Sequence, residues 1–278
     1  MKLNKNAYVY YKDNNEQYLK KTTDLCFSAH QDDIEIMAYG PISKCYRDDK
    51  NWFTGVVITD GAGSPRSGIY ENYTNEDMKK IRIVEQKNAA VVGEYAGVIC
   101  LGYPSSVVKG TDKKDIKEDI KEIIRATHPE TVYIHNLADK HATHVACAVT
   151  VLDAIRELDD SDKPSKVLGL EVWRGLDWMV DKEKVCLDTS KYPNVEAAVL
   201  GVYDSQISGG KRYDNAAVGR RLANATFFES HDVDDVTSMS YAMDLTPIIT
   251  ENIDYVDYVN KYIDSFKKDV NDTIKKFM

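Results

Sequence analysis

Apolar residues along this chain come in two spacings, and the spacings alternate. Residues 25–27, Leu-Cys-Phe, form a short apolar run, and residues 25–28 read as a buried strand. Residues 34 to about 47 predict a helix, closed by the polar run Asp48-Asp49-Lys50-Asn51. Residues 52–58 read as the next strand, which exits into a loop rich in breakers at 59–68. Residues 75–94 predict a helix, with Met78, Ile81, Val84, Ala89 and Val92 as its apolar positions. Residues 96–101 are a third strand. Residues 113–126 set Ile116, Ile120, Ile123 and Ile124 against charge, the pattern of an amphipathic helix, and His128-Pro129 stops it. A fourth strand at 131–134 leads to a helix at 143–158, where Val145, Val149, Leu152 and Ile155 share a face. Residues 167–173 are a fifth strand.

Four alternations of strand and helix predict right-handed crossover units and a sheet with helices on both faces. The expected fold is therefore α/β, a Rossmann-like three-layer sandwich with a mostly parallel central sheet. Beyond Trp173 the rhythm loosens. A short strand at 185–187, a helix at 195–202, a turn at Gly209-Gly210 and helices at 213–225 and 255–277 are expected there. The polar, tyrosine-rich residues 1–23 predict an extension packed on the surface as an edge strand or hairpin. No repeat or linker divides the chain. Residues 1–278 are read as a single domain, with an N-terminal extension at 1–23 and a C-terminal extension at 231–278.

Composition narrows the function. Hydrophobic residues make up 43% of the 278, enough for a sizeable core. A formal net charge of −9 argues against nucleic acid as a partner, since such proteins carry a basic face. No apolar run is long enough for a membrane span, and no apolar stretch follows Met1 to suggest a leader. Five scattered cysteines with no C-x-x-C pair read as reduced thiols of a cytoplasmic protein. Gly61-Ala62-Gly63 lacks the third glycine of a dinucleotide fingerprint and follows the second strand, so nucleotide binding is not expected.

The chemistry gathers at two strand exits. Ser28-Ala29-His30-Gln31-Asp32-Asp33-Ile34-Glu35 sits at a strand-to-helix corner, where open α/β sheets bind ligands. His30 and Asp33 are three residues apart, so one turn of chain can aim both at one centre, leaving Asp32 free. His141-Ala142-Thr143-His144 follows the fourth strand and supplies a further candidate ligand in His144. Two imidazoles and one carboxylate suit zinc, although such donors accept other divalent ions. Three protein ligands leave a position for water, whose pKa then falls to ~7. Asp32 is the candidate general base. His141, one turn from His144, is the candidate partner for an oxyanion or a departing amine. The simpler reading makes the Asp-Asp pair a helix N-cap and each histidine a hydrogen-bonded loop residue.

The residues around these exits resemble a known family. Ala29-His30-Gln31-Asp32-Asp33-Ile34-Glu35 is similar to the A-H-P-D-D-x-E signature of the LmbE/PIG-L deacetylases, the N-acetylglucosaminyl deacetylase-like family. His141-Ala142-Thr143-His144 resembles its later H-P-D-H signature. Val57-Ile58-Thr59-Asp60-Gly61, Arg82-Ile83-Val84-Glu85, Leu101-Gly102-Tyr103-Pro104, Asp188-Thr189-Ser190 and Ser205-Gln206 extend the likeness over residues 24–230. Gln31 replaces the family proline, Thr143 the family aspartate, and Ser105 an aspartate that often follows Tyr-Pro. The resemblance implies a zinc site held by His30, Asp33 and His144, with Asp32 as base and His141 as electrostatic partner. It implies that Arg82 contacts substrate hydroxyls or phosphate, unless it pairs with Glu85. Family substrates are N-acetylated sugars and sugar conjugates, from which acetate is removed.

The expected activity is zinc-dependent deacetylation of an N-acetylated amino sugar or conjugate. Two rivals stand beside it: an amidase acting on another acyl-amide sugar conjugate, and a zinc-containing sugar-binding protein without turnover. The expected partner is a small N-acetyl sugar or conjugate, and assembly into a homo-oligomer is left open.

Overall fold

The computed structural model describes residues 1–278. Its strands are β1 (Tyr8–Tyr11), β2 (Asp24–Ser28), β3 (Phe53–Thr59), β4 (Gly97–Tyr103), β5 (Thr131–His135), β6 (Lys166–Leu170), β7 (Val185–Asp188) and β8 (Met239–Asp244). Its helices are α1 (Asp33–Met37), α2 (Tyr39–Cys45), α3 (Asn75–Val92), α4 (Ser105–Val108), α5 (Lys114–Thr127), α6 (Ala142–Arg156), α7 (Pro193–Gly201), α8 (Asp204–Ile207), α9 (Tyr213–Phe227), α10 (Thr246–Thr250) and α11 (Tyr255–Lys275). The eight strands form one sheet in the order β1-β4-β3-β2-β5-β6-β8-β7.

The sheet is mixed. β4, β3, β2, β5 and β6 run parallel, as the alternation predicts. β1 pairs antiparallel with β4, and β8 pairs antiparallel with both β6 and β7. The expectation of a mostly parallel, Rossmann-like sheet holds only for these five central strands. β8 is absent from the sequence reading because residues 239–244 contain no valine, isoleucine or threonine. The first 23 residues contribute the edge strand β1.

Side chains of the central strands alternate between two cores. Leu25, Phe27, Val56, Ile58, Ile99 and Leu101 join one core, which α5, α6, α10 and α11 cover. Cys26, Phe53, Val57, Val98 and Cys100 join the other, under α1, α2, α3 and α7. A parallel strand buried on both faces must be apolar throughout, which explains the continuous runs read from sequence.

The first helix differs from expectation. It breaks at Ala38, with φ −112° and ψ 27°, into α1 and α2. Pro41 has no N–H to donate to the Met37 carbonyl, and its ring crowds that carbonyl, so one continuous helix is excluded. The break sets α1 as a short wedge directly behind the corner at residues 29–33.

The order of the strands places the functional cleft. From β2 the chain steps outward to β3 and β4, then crosses back to β5 and continues to β6 on the other side. β2 and β5 therefore flank the point where the winding reverses, and a crevice opens beyond their carboxyl ends. Ser28 and His135 are those ends.

Candidate active site

The corner after β2 is held by its own side chains. Gln31 is fully buried, and its Nε2 donates to the Thr59 carbonyl at 3.3 Å, tying the corner to the end of β3. The rigidity that a proline would supply at this position comes instead from that tie. Gly61 makes it possible. Its φ is +69°, and a Cβ there would lie 2.5 Å from Gln31 Oε1. Asp32 also sits at positive φ, +94°, a conformation that costs a non-glycine residue energy and recurs at functional sites.

Three atoms with lone pairs converge on the cleft floor. His30 Nδ1 lies 3.1 Å from Asp33 Oδ2 and 3.2 Å from His144 Nε2. His144 Nε2 lies 3.3 Å from the same Asp33 oxygen. Adjacent corners of a tetrahedron with metal–ligand bonds of ~2.0–2.1 Å are about 3.3 Å apart, so the triangle has the dimensions of three ligands around one ion. The tautomer of His144 is set from behind. Its Nδ1 donates to Asp139 Oδ2 at 3.1 Å, which frees Nε2 to present a lone pair. Asp139 in turn accepts from the Val172 N–H at 3.0 Å and the His141 N–H at 3.2 Å. Thr143 stands where the family signature has aspartate, and the carboxylate that orients a histidine here is Asp139, acting on His144.

His135 offers a second grouping with Asp33 and His144, and its ring stacks on His144 at 3.9 Å. Its Nε2, however, accepts the Ala29 N–H at 2.8 Å. One lone pair cannot serve both a donor and an ion at once, and the same Nε2 lies 3.3 Å from Asp33 Oδ2. His135 thus stacks on the His144 ring while its Nε2 is engaged by the Ala29 N–H. His141 lines the cleft together with His30 and His144, with its ring 4.7 Å from that of His144 and 5.2 Å from that of His30. Trp173 lies parallel to it at 6.5 Å.

Electrostatics separate the two aspartates. Burial pushes Asp32 up to about 6, against the pull of the Arg82 guanidinium and with a push from Asp33. Burial also opposes ionisation of Asp33, but the charges of His144 and His30 and the donors around it hold its carboxyl well below the usual range. For Asp139, burial is outweighed by the hydrogen bond from His144, and its carboxyl lies below the ordinary value. Burial, then the neighbouring His144 and His30, lowers His141, so its surroundings favour the neutral ring.

Arg82 is buried under the corner. It donates to the Gln31 carbonyl, and at 3.2 Å to Asp32 Oδ2, while its other terminal nitrogen lies 3.6 Å from Glu85. Arg82 is thus ion-paired with Asp32 and Glu85, as one of its two readings expects, and it is among the residues lining the cleft. Glu85 accepts the Ser205 N–H at 2.6 Å and the Ser205 hydroxyl at 2.7 Å. This contact joins the Arg82–Glu85 and Ser205-Gln206 motifs, which lie about 120 residues apart in sequence. Glu35 is fully buried and accepts from Tyr95 at 2.8 Å, Gln86 at 3.0 Å and Tyr203 at 2.5 Å, so it ties down the first loop.

The cleft above this floor has a volume of about 460 Å³. Its walls include Trp173, Tyr213, Lys109 and Lys211. Sequence reasoning did not single out these four. The available signal was Trp173 at the end of the fifth predicted strand; the structure leaves it 37% exposed.

Residues 25–155 match the family described as PIG-L, GlcNAc-PI de-N-acetylase. This segment is a PIG-L family domain. The three converging donors, the corner and Asp139 all fall within the PIG-L domain, whereas Trp173, Tyr213 and Lys211 lie beyond it. Solved structures share the fold over 81–87% of the chain. The N,N'-diacetylchitobiose deacetylase of Pyrococcus horikoshii is 14% identical, with TM-score 0.64, over 87% of this chain and 93% of its own. GalB, the 4-carboxy-2-hydroxymuconate hydratase of Pseudomonas putida, is 18% identical, with TM-score 0.62, over 84% and 100%. Dbv21, the A40926 pseudoaglycone deacetylase, is 16% identical, with TM-score 0.58, over 81% and 97%. At these identities the likeness is one of fold, and that fold carries a hydratase as well as deacetylases.

Proposed function

We propose that this protein is a metal-dependent hydrolase that removes the acetyl group from an N-acetylated amino sugar or sugar conjugate. The observation that carries the reading is the triangle of His30 Nδ1, Asp33 Oδ2 and His144 Nε2, each pair 3.1–3.3 Å apart, beside a second buried carboxyl in a cleft. His30, Asp33 and His144 would hold the ion, and zinc suits the donors. A zinc ion in such a site polarises a carbonyl and makes water a nucleophile at neutral pH.

The protein's own groups do the rest. Asp32 takes the proton of the attacking water as the oxygen bonds to the amide carbon. Arg82 holds the Asp32 carboxyl in place and balances its charge. His141 donates to the oxyanion that develops on the carbonyl oxygen. The carbon–nitrogen bond then breaks, and the nitrogen leaves with the proton Asp32 collected. Acetate and a free amine are the products. Trp173 gives a sugar ring a flat face to lie on, and the cleft extends to Lys109 and Lys211, which leaves room for more than the acetamido group. The PIG-L domain supports this class of reaction, and the deacetylase neighbours are consistent with it.

Acetate release from a panel of N-acetyl sugars and conjugates, with zinc and with chelator, tests the reading. Asp32→Asn should retain zinc and lose turnover by about 10²–10⁴-fold, the usual worth of a general base. His144→Ala should lose both. Full activity in Asp32→Asn would sink the mechanism. Tight zinc binding without release from any acyl-amide would instead favour a sugar-binding protein.

A further inference from the structure

The terminal helix carries a surface the monomer leaves uncovered. α11 is 21 residues long, about 31 Å. It begins at a well-made cap, with Asp254 accepting from the N–H groups of Val256 and Asp257. It docks on the body through one face. Tyr258 is buried and donates to the Asp244 carbonyl, and Ser265 donates to Glu183. Beside that face runs a second, apolar stripe. Val256, Ile263 and Val270 recur every seven residues, with Val259 and Phe266 interleaved at the spacing of a coiled-coil seam, and Phe277 continues the spacing just past the helix end. Val256 is 64% exposed, Ile263 and Val270 40%, and Phe277 86%. A stripe this regular on the solvent side of a helix that already has its own docking face is not needed to fold the monomer.

Two observations name the occupant. The helix carries a charge gradient. Residues 254–264 hold three aspartates against one lysine, and residues 265–276 hold four lysines against two aspartates. Laid antiparallel against a second copy, each acidic half meets a basic half, and Ile263 comes opposite Val270. A parallel arrangement would place like charge against like. The stripe also continues onto the body. Phe266 lines a groove with Phe227 of α9, which is 81% exposed, so a second helix would cover apolar surface on both sides of the seam.

We propose that α11 is a dimerisation helix, packing antiparallel against α11 of a second copy of this chain. The proposal is independent of the chemistry in the cleft. The full-length protein should sediment as a dimer, and the double variant Ile263→Glu, Val270→Glu should show half that mass with unchanged helical signal and melting temperature. Orientation is tested in a Cys186→Ser background, which removes the exposed thiol. Mixed Ile263→Cys and Val270→Cys chains should form a disulfide between the two kinds of chain, with little cross-linking of Ile263→Cys to itself. A monomeric wild-type protein overturns the proposal. So does a dimer whose mass the glutamates do not change, or one in which Ile263→Cys cross-links chiefly to itself.

Discussion

Asp139 shows how much one side chain away from the reacting atoms can decide. Without its carboxylate on Nδ1, the His144 ring has no fixed tautomer, and Nε2 would carry a proton for part of the time. Asp139→Asn keeps the shape but removes the charge, and zinc affinity should fall about 10–100-fold. Competition with a fluorescent chelator measures this, and an unchanged affinity would rule out the orienting role. Glu171 supplies a second test at this scale. Burial pushes its carboxyl up to about 7, although it accepts from the Leu176 N–H and from Trp178 Nε1. The folded-state pKa lies above the unfolded one, so the folded protein holds a proton that the unfolded chain releases. Stability from this group is full below about pH 4.5 and declines as the pH rises through about 7. The loss reaches at most about 3 kcal/mol. Glu171→Gln should flatten denaturation midpoints between pH 5 and pH 8, and an equally steep decline in the variant would contradict the assignment.

At the scale of elements, local pattern was a good guide where one face or a whole strand is apolar. α3, α5 and α6 and the five parallel strands lie within a few residues of where periodicity puts them. It failed where another force decided. Pro41 split the first helix through a missing N–H, a feature readable in the sequence but overridden there by the apolar run around it. β8 has no β-branched residue and is a strand because β6 and β7 supply its ladder. β1 is the edge strand expected within residues 1–23, and only its partner and direction had to come from the fold. It pairs Tyr8 with Cys100 and Tyr11 with Gly97, covering the open edge of β4. Deleting residues 1–11 should expose that edge, a template for intermolecular pairing. Light scattering on mild heating should then rise at a lower temperature than in the full chain, and identical curves would show that the edge is protected some other way.

For the whole molecule, the cleft is a joint between distant parts of the chain. The floor comes from the β2 and β5 exits, one wall from α3, and another from Trp173 and Tyr213. An ion bridging His30, Asp33 and His144 would therefore bind the folded state alone. Zinc at a hundred times its Kd should add about 2.7 kcal/mol of stability, read as a concentration-dependent rise in melting temperature that His144→Ala abolishes. A melting temperature indifferent to zinc and chelator would mean that the three donors do not share an ion. No helix is long and apolar enough to cross a membrane, and all five cysteines are free thiols, four of them buried.

What the sequence determined by itself is what depends on near neighbours along the chain. The alternation of elements follows from periodicity. The closeness of His30 and Asp33 follows from a three-residue spacing at a tight corner, and the family likeness follows from short motifs. What only the tertiary structure decided is which distant segments meet. It set the antiparallel edges, brought position 144 to positions 30 and 33, spent the lone pair of His135 on a backbone N–H, and put Asp139 behind His144. These depend on strand order and on where each buried polar group finds a partner. Both are settled by the free energy of the packed whole, in which no single stretch of chain has enough contacts to choose alone.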